Sequence, residues 1–239
     1  MHTDRYVCNY PQPMTTHSFF NSKLNHLRHL WDCRCPLRSA TDKSAETREK
    51  ILTAAFDEIY SYGYQAASLS NILKNTGTTK GALYHHFKSK KELGLAVLDE
   101  VICTSYRANW IEPLKVTDDP ITTMTELLTR SGEQMSDEDV HRGSSLSNIA
   151  QEMSPIDTDF RERTRQAFTE WQEAIEQALD RGKAAGNVEK ELDSKSMALL
   201  LVATLEGCMG LAKNMQSLDT LICCGEGIID RMEAARPKP

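Results

Sequence analysis

The side chains best suited to chemistry lie together in the segment TTKGALYHHFKSK, residues 78–90. It contains hydroxyl, imidazole, phenol and ammonium groups and no carboxylate, a set compatible with a metal site, an acid–base site or a phosphate-binding surface. His85 and His86 would point about 100° apart on a helix, so they cannot easily ligate one metal together. An ordinary solvated face would mix acids with bases. We therefore predict a phosphate-binding surface and expect neither a metal nor another cofactor.

The distribution of charge supports this interpretation. The chain has a net charge of -6, and residues 101–239 hold 24 acids against 15 Lys and Arg. Residues 70–91, in contrast, contain five lysines and neither Asp nor Glu. A cationic patch of this kind attracts a polyanion even when the whole protein is acidic.

Composition limits the class of protein. A chain of 239 residues that is 40% hydrophobic can bury a sizeable core. Its longest apolar run, MALLLVA at residues 197–203, is much shorter than the roughly 20 residues that a membrane-spanning helix needs. The N-terminus lacks the apolar core of a secretory signal. The seven cysteines are scattered without a disulfide framework, which predicts free thiols in a reducing cytoplasm.

Apolar residues at helical spacing predict the elements that position the cationic segment. The first helix begins at Thr47 and stops at Gly63. The second begins after an N-cap at Ser68 and ends near Gly77. The third, capped by Thr78 or Thr79, runs to about His86 and directs Leu83 and Phe87 inward.

A fourth helix is predicted to follow immediately. Ser89 and Glu92 have the spacing of a capping box, and the apolar pattern continues as far as Trp110. Pro113 is expected to end this helix. Period-2 patterns typical of strands are missing, so the fold class predicted is all-α.

Two short helices joined by a glycine-containing turn, with a longer helix on each side, form the layout of a helix-turn-helix motif. The second short helix of that motif enters the DNA major groove. Here it would present Thr79, Lys80, Tyr84 and His85 outward, and Gly81 would let the backbone approach closely. Such side chains, like the free N–H groups at a helix N-terminus, donate hydrogen bonds to phosphate oxygens.

Residues 47–101, from TREKILTAAF to GLAVLDEV, resemble the DNA-binding domain of the TetR (tetracycline repressor) family of one-component bacterial regulators. The spacing of GY, SLSNI, TG and KGALYHHFKSKKEL carries this resemblance. It implies an all-helical homodimer that binds an inverted-repeat operator in double-stranded DNA and represses transcription until a small molecule binds the C-terminal domain. Ala82 stands where a base-reading polar residue is common, so base readout would depend on Thr79, Lys80 and methyl contacts. By position, DNA contacts are implied for Ser68, Ser70, Thr78, Thr79, Lys80, Gly81, Tyr84, His85, His86 and Lys90.

The resemblance divides the chain into three parts. Residues 44–92 would form the helix-turn-helix domain, and residues 93–239 the helical ligand-binding and dimerisation domain. Residues 1–43 match nothing in the family, and we predict a disordered basic arm or an extension from an upstream start. His26, His29, Cys33 and Cys35 raise zinc as an alternative, but the one-residue cysteine spacing is tighter than that of usual structural pairs.

The C-terminal part is predicted from caps and periodicity. Asp119 and Pro120 begin a helix, the acidic stretch SDEDVHRG at residues 136–143 forms a loop, and residues 144–155 match a segment found in one branch of the family. Long helices are predicted for residues 157–181 and 194–215, the second apolar nearly all round. The resemblance implies that these two pair with their copies in a four-helix dimer interface.

The regulatory ligand is the least determined feature. Aromatic and sulfur side chains beside the connecting helix would line its pocket, favouring an uncharged or amphipathic, partly aromatic effector. Cys103 is the candidate for an alternative, thiol-based response to electrophiles or oxidants. The pocket candidates are Tyr106, Trp110, Phe168 and Met209.

The main rival class is a helical-bundle metal enzyme. Such a site needs two Glu-x-x-His pairs and two further carboxylates. The C-terminal part holds only Glu138-x-x-His141, and the sequence lacks hydrolase and nucleotide-binding motifs. We therefore expect no enzyme activity.

Overall fold

The computed structural model describes residues 43–238 and shows helices without any strand in that part of the chain. This confirms the all-α class. The predicted N-terminal arm and its zinc alternative lie outside the described residues.

Three helices form the N-terminal part of the described chain. Ser68 and Thr79 cap the second and third of them, as the sequence predicts. Each side-chain oxygen accepts a backbone N–H three residues later, satisfying one of the donors left free at a helix start. The helices are α1 (Lys43–Tyr62), α2 (Leu69–Thr76) and α3 (Lys80–His86).

Helix α4 covers residues 90–115 and continues past the predicted end. Two π-helical stretches, Val97–Cys103 and Arg107–Ile111, interrupt its α-helical course. Pro113 follows the second stretch, where the regular i to i−4 bonding is already broken, so its missing N–H does not end the helix. The predicted stop at Pro113 is therefore wrong. Ser89 caps α4, but the Glu92 carboxylate accepts from the Lys88 N–H, so the capping box is incomplete.

The C-terminal part holds six more helices, and two of them differ from the sequence prediction. The acidic stretch predicted as a loop contains a helix, because Ser136 and Asp139 cap each other reciprocally and form a complete capping box. Cys223 and Cys224 were expected in a C-terminal helix, but the bounds of this last helix were not predicted, since Gly225 and Gly227 weaken its propensity. The helices are α5 (Pro120–Gln134), α6 (Asp137–Arg142), α7 (Ser145–Met153), α8 (Thr158–Ala185), α9 (Ser194–Met215) and α10 (Leu218–Glu233).

Two apolar clusters hold these helices together. The first joins α1 to α3 with the start of α4, and α7 and the start of α8 also contribute to it. The second lies among the end of α4 and helices α5, α8, α9 and α10. Tyr106 and Phe168 pack against both clusters. Apolar contacts therefore run without a break from the N-terminal helices to the C-terminal helices of the described chain.

Helix α9 exposes several apolar side chains in the single chain. Four of its large apolar side chains are exposed, and α10 exposes one more: Leu199, Leu200, Leu211, Met215 and Ile222. By length and composition α9 is the one helix in the described chain that could cross a membrane. Most of the large apolar residues of α8 are buried within the protomer, among them Phe160, Trp171, Ile175 and Leu179. Exposed large apolar side chains therefore lie mainly on α9, and the pairing of α8 and α9 with their copies stays a prediction.

The expectation of free thiols throughout is also wrong. Cys208 on α9 and Cys224 on α10 form a disulfide, with their Cα atoms 6.0 Å apart. The two cysteines are 16 residues apart in sequence, and only the antiparallel pairing of α9 with α10 brings them together. Cys103 and Cys223 are free among the described residues.

Candidate nucleic-acid interface

Helices α2 and α3 are held at a fixed angle by the turn between them. Gly77 adopts a left-handed conformation with φ of 64°, which a residue with a side chain adopts at a cost. The Thr76 and Thr78 hydroxyls are hydrogen-bonded to each other at 2.7 Å, and Thr76 Oγ1 also accepts the Thr78 N–H. Local bonds therefore close the turn.

A buried carboxylate fixes the start of α2. Glu58 on α1 is only 5% exposed, and its Oε1 accepts from the Ser68 N–H at 3.0 Å and from Asn71 Nδ2 at 2.9 Å. Sequence reasoning missed this residue. The signal in the sequence was the position of Glu58 next to the apolar residue Ile59 of α1. A carboxylate buried there must accept hydrogen bonds from nearby donors.

Helix α3 is anchored on one side and open on the other. Leu83 and Phe87 are buried, as predicted, while Tyr84 is 41% exposed. A Cβ added at Gly81 would meet nothing nearer than the Thr79 hydroxyl at 3.9 Å, so the backbone is uncovered there. The face of α3 that the sequence predicts to bind phosphate is therefore exposed to solvent.

The ten predicted contact residues divide by exposure. Ser70, Thr79, Lys80, Gly81, Tyr84 and His85 are exposed, and Ser68, Thr78, His86 and Lys90 are half-buried. Two of the half-buried residues have structural roles in the helix-turn-helix motif. Ser68 caps α2, and the Thr78 hydroxyl is hydrogen-bonded within the turn.

Two of the lysines have partners within the protein. Lys80 Nζ lies 5.8 Å from the centre of the Tyr84 ring, within cation–π distance, and both side chains are on the exposed face of α3. Lys90 Nζ donates to the Gln65 carbonyl at 2.9 Å and lies 5.1 Å from the Tyr64 ring. Lys90 thus braces the start of α4 against the loop after α1, and a phosphate would compete with that carbonyl.

The loop after α1 is also bound by α7. Both oxygens of Glu152 accept backbone N–H groups, from Tyr64 at 2.8 Å and from Gln65 at 2.7 Å. The Tyr60 hydroxyl donates to the Gly143 carbonyl at the junction of α6 and α7. The helix-turn-helix part is consequently attached to the C-terminal helices by polar contacts as well as by its core.

Three of the four predicted pocket residues, Tyr106, Trp110 and Phe168, pack against the second apolar cluster. Tyr106 and Trp110 pack on Trp171, with ring centres 5.4 and 5.6 Å away. Phe168 is half-buried between the two apolar clusters, and Met209 is half-buried on α9. Tyr106 alone reaches a polar neighbourhood, where its hydroxyl is 2.8 Å from Ser144 Oγ.

The thiol of Cys103 lies in an apolar setting. It is 5% exposed, and burial raises its pKa to about 11 despite the nearby Arg107 guanidinium. A thiol with so high a pKa is almost wholly protonated at neutral pH and is a poor nucleophile.

Comparisons with known proteins agree with this architecture. The family model for bacterial regulatory proteins of the tetR family matches residues 51–97, which include α2, α3 and the turn between them. A second model, described as the C-terminal domain of LmrA/YxaF-like transcriptional regulators, matches residues 120–226.

Individual relatives extend over most of the chain. An uncharacterised HTH-type transcriptional regulator of Lactococcus lactis is 33% identical over 177 residues, covering 73% of this chain and 87% of the relative. The HTH-type transcriptional regulator LmrA of Bacillus subtilis is 28% identical, covering 78% of this chain and 98% of the relative. The crystal structure of a TetR transcriptional regulator from Chloroflexus aurantiacus superimposes with a TM-score of 0.69 at 28% identity, covering 80% of this chain and 96% of that one.

Proposed function

We propose that this chain, which belongs to the TetR family of bacterial transcriptional regulators, is a homodimeric repressor that a small-molecule effector releases from its operator. Residues 44–92 would bind an inverted repeat in cytoplasmic DNA, and residues 93–239 would bind the effector and the second protomer. The family is a class of DNA-binding regulators, so we propose no enzymatic reaction.

One observation carries the DNA-binding assignment. The outer face of α3 combines an uncovered glycine backbone with the exposed side chains of Thr79, Lys80 and Tyr84. Their donors point away from the buried Leu83 and Phe87, so they are available to phosphate oxygens and base edges. An effector acts on such a protein through unequal affinity for its DNA-bound and DNA-free arrangements.

The test starts from DNA sequences that the purified protein selects out of a random duplex library. We expect an inverted repeat whose half-sites are about one helical turn apart, or a multiple of it. Affinity should fall with salt by a log–log slope of about 0.9 for each phosphate neutralised.

Lys80→Ala should flatten that slope by roughly one unit per half-site if each Lys80 contacts one phosphate. The matched control is Lys195→Ala, which removes an exposed lysine from the start of α9. Equal slopes for wild type and Lys80→Ala would remove Lys80 from the interface, and selection of no common sequence would contradict the operator-binding function.

A further inference from the structure

A polar cleft lies between the α6–α7 corner and the second half of α9. Its volume is about 510 Å³, within the range of small-molecule sites. Hydroxyl, amide and charged groups line it, among them Ser147, Asn148, Glu206 and Lys213. This chemistry differs from the apolar, aromatic pocket that the sequence suggests.

Glu206 is the unusual group in this cleft. Its Oε2 is buried and has no hydrogen-bond partner among the described residues, and its Oε1 is 3.5 Å from the Tyr106 hydroxyl. Burial raises the pKa of Glu206, while the hydroxyls of Ser144, Ser147 and Tyr106 oppose that rise. A buried carboxylate oxygen without a donor destabilises the free protein, so a ligand that supplies a donor recovers that free energy.

The missing partner has the character of a cation. Within the described part of the chain, no lysine or arginine forms an ion pair with Glu206. Two basic residues line the same cleft, and both have other partners: Lys213 donates to Asn148 Oδ1 at 3.0 Å, and His141 Nδ1 is paired with Gln216 Oε1. Among the described residues, the cleft therefore offers a carboxylate without a cationic partner at Glu206 and an ammonium donor at Lys213.

We propose that this cleft is the effector site, and that it binds a small polar molecule whose protonated amine donates to Glu206 and whose oxygen accepts from Lys213. The assignment rests on the proposed function, because it names the chemical class of the effector. Neither family comparison assigns a ligand to these residues.

The cleft is connected to the DNA-binding part by short polar links. Asn148 accepts from Lys213 in the cleft and donates through Nδ2 to the Arg142 carbonyl at 2.7 Å. The next residue, Gly143, accepts the Tyr60 hydroxyl of α1, and Arg142 lies 5.4 Å from the Tyr60 ring. A ligand that draws Lys213 away from Asn148 therefore loosens the corner that holds α1.

The experiment measures binding to the full chain by calorimetry, with two pairs of probes. Glucosamine is compared with glucose, and tyramine with 4-(2-hydroxyethyl)phenol, so that each pair differs mainly in its amine. At least one amine should bind tenfold or more tightly than its neutral counterpart. Glu206→Gln should reduce that ratio below threefold without lowering the unfolding temperature, because it removes a negative charge that has no cationic partner among the described residues.

Glu226→Gln is the matched control, since Glu226 is an exposed acid on α10. It should keep the preference for the amine. Amines that bind no better than neutral probes, or a preference that survives in Glu206→Gln, would overturn the site.

Operator affinity is measured separately with and without the amine. In the wild type the bound amine should weaken operator binding by a factor of 5 to 150, and in Glu206→Gln it should have no effect. Unchanged operator affinity in the amine complex would overturn the effector role of the cleft. If the protein bound no operator at all, the proposed function would fail, while calorimetry would still decide whether the cleft binds amines.

Discussion

At the scale of single residues, Tyr84 offers the sharpest test of the α3 face. Its ring is partly exposed, and its hydroxyl has no hydrogen-bond partner among the described residues. Tyr84→Phe should therefore change the free energy of unfolding by less than about 0.5 kcal/mol. If the hydroxyl donates to a phosphate, operator binding should weaken by about 1.5–3 kcal/mol, the worth of a hydrogen bond to a charged group.

Thermal unfolding and operator titration of the same preparations check both halves of this prediction. Tyr62→Phe is the control, because Tyr62 is 65% exposed at the end of α1 and lies outside the predicted contacts. A Tyr84→Phe variant that unfolds earlier yet binds the operator normally would make Tyr84 a structural residue.

Local chemistry made the caps predictable from the sequence and left the buried acids unpredicted. Ser68, Thr79 and Asp119 each satisfy a backbone N–H within three residues, so their role is readable from adjacent letters. Glu58 accepts a hydrogen bond from Asn71, thirteen residues away, and Glu206 lies 3.5 Å from the hydroxyl of Tyr106 on another helix. Pairings of that kind follow from packing and leave no local pattern.

At the scale of elements, the contact between α7 and the end of α1 should contribute directly to stability. Glu152 holds two backbone N–H groups with two carboxylate oxygens. Glu152→Gln leaves one acceptor and turns an NH2 group toward the second N–H. We expect a loss of about 1–3 kcal/mol, as for a polar group that loses its partner, measured by urea unfolding.

The control for this substitution is Glu162→Gln, which removes an exposed acid paired only with Arg165 on the same helix. A surface pair of this type contributes roughly 0–1 kcal/mol. Equal stability of Glu152→Gln and wild type would show that water replaces the carboxylate and that the α7 contact does not hold α1.

Helices with a strong local signal were predicted, and those without one were not. The long periodic patterns of α1 and α8 and the cap of α9 predicted these elements to within a few residues. Helix α6 is short and hydrophilic, so only its capping box reveals it. The disulfide and the cleft required α10 and the α6–α7 corner to be placed in space, which periodicity cannot do.

At the scale of the whole molecule, the exposed apolar residues of α9 and α10 are the surface that we propose for the dimer interface. Leu199, Leu200, Leu211 and Met215 on α9 are each 47–61% exposed, and exposed apolar side chains that cluster together often mark an interface. A two-fold axis through this face would bring the same residues of both protomers together. The disulfide between Cys208 and Cys224 ties the two helices that carry this face.

Leu211→Lys tests whether this face forms the repressor dimer. In each protomer Leu211 is already 53% exposed, so the substitution should leave the fold of the single chain intact. At a two-fold interface it buries two ammonium groups among apolar side chains, a cost of at least about 2 kcal/mol, typical of an interface hot spot. We expect at least a thirtyfold rise in the dimer dissociation constant, measured by analytical ultracentrifugation.

The effect on DNA follows from the loss of the second recognition helix. A monomer holds one half-site only, and linked binding of two half-sites is worth roughly 10²–10⁴ in affinity. Val116→Lys is the matched control, because it places the same charge on an 88% exposed apolar residue outside α9 and α10. It should remain dimeric and bind the operator normally. If the Leu211→Lys protein were monomeric and still bound the full operator as tightly as the wild type, pairing through this face would not be what joins the two half-sites. If the protein stayed dimeric despite the lysine, the dimer interface would not include this face.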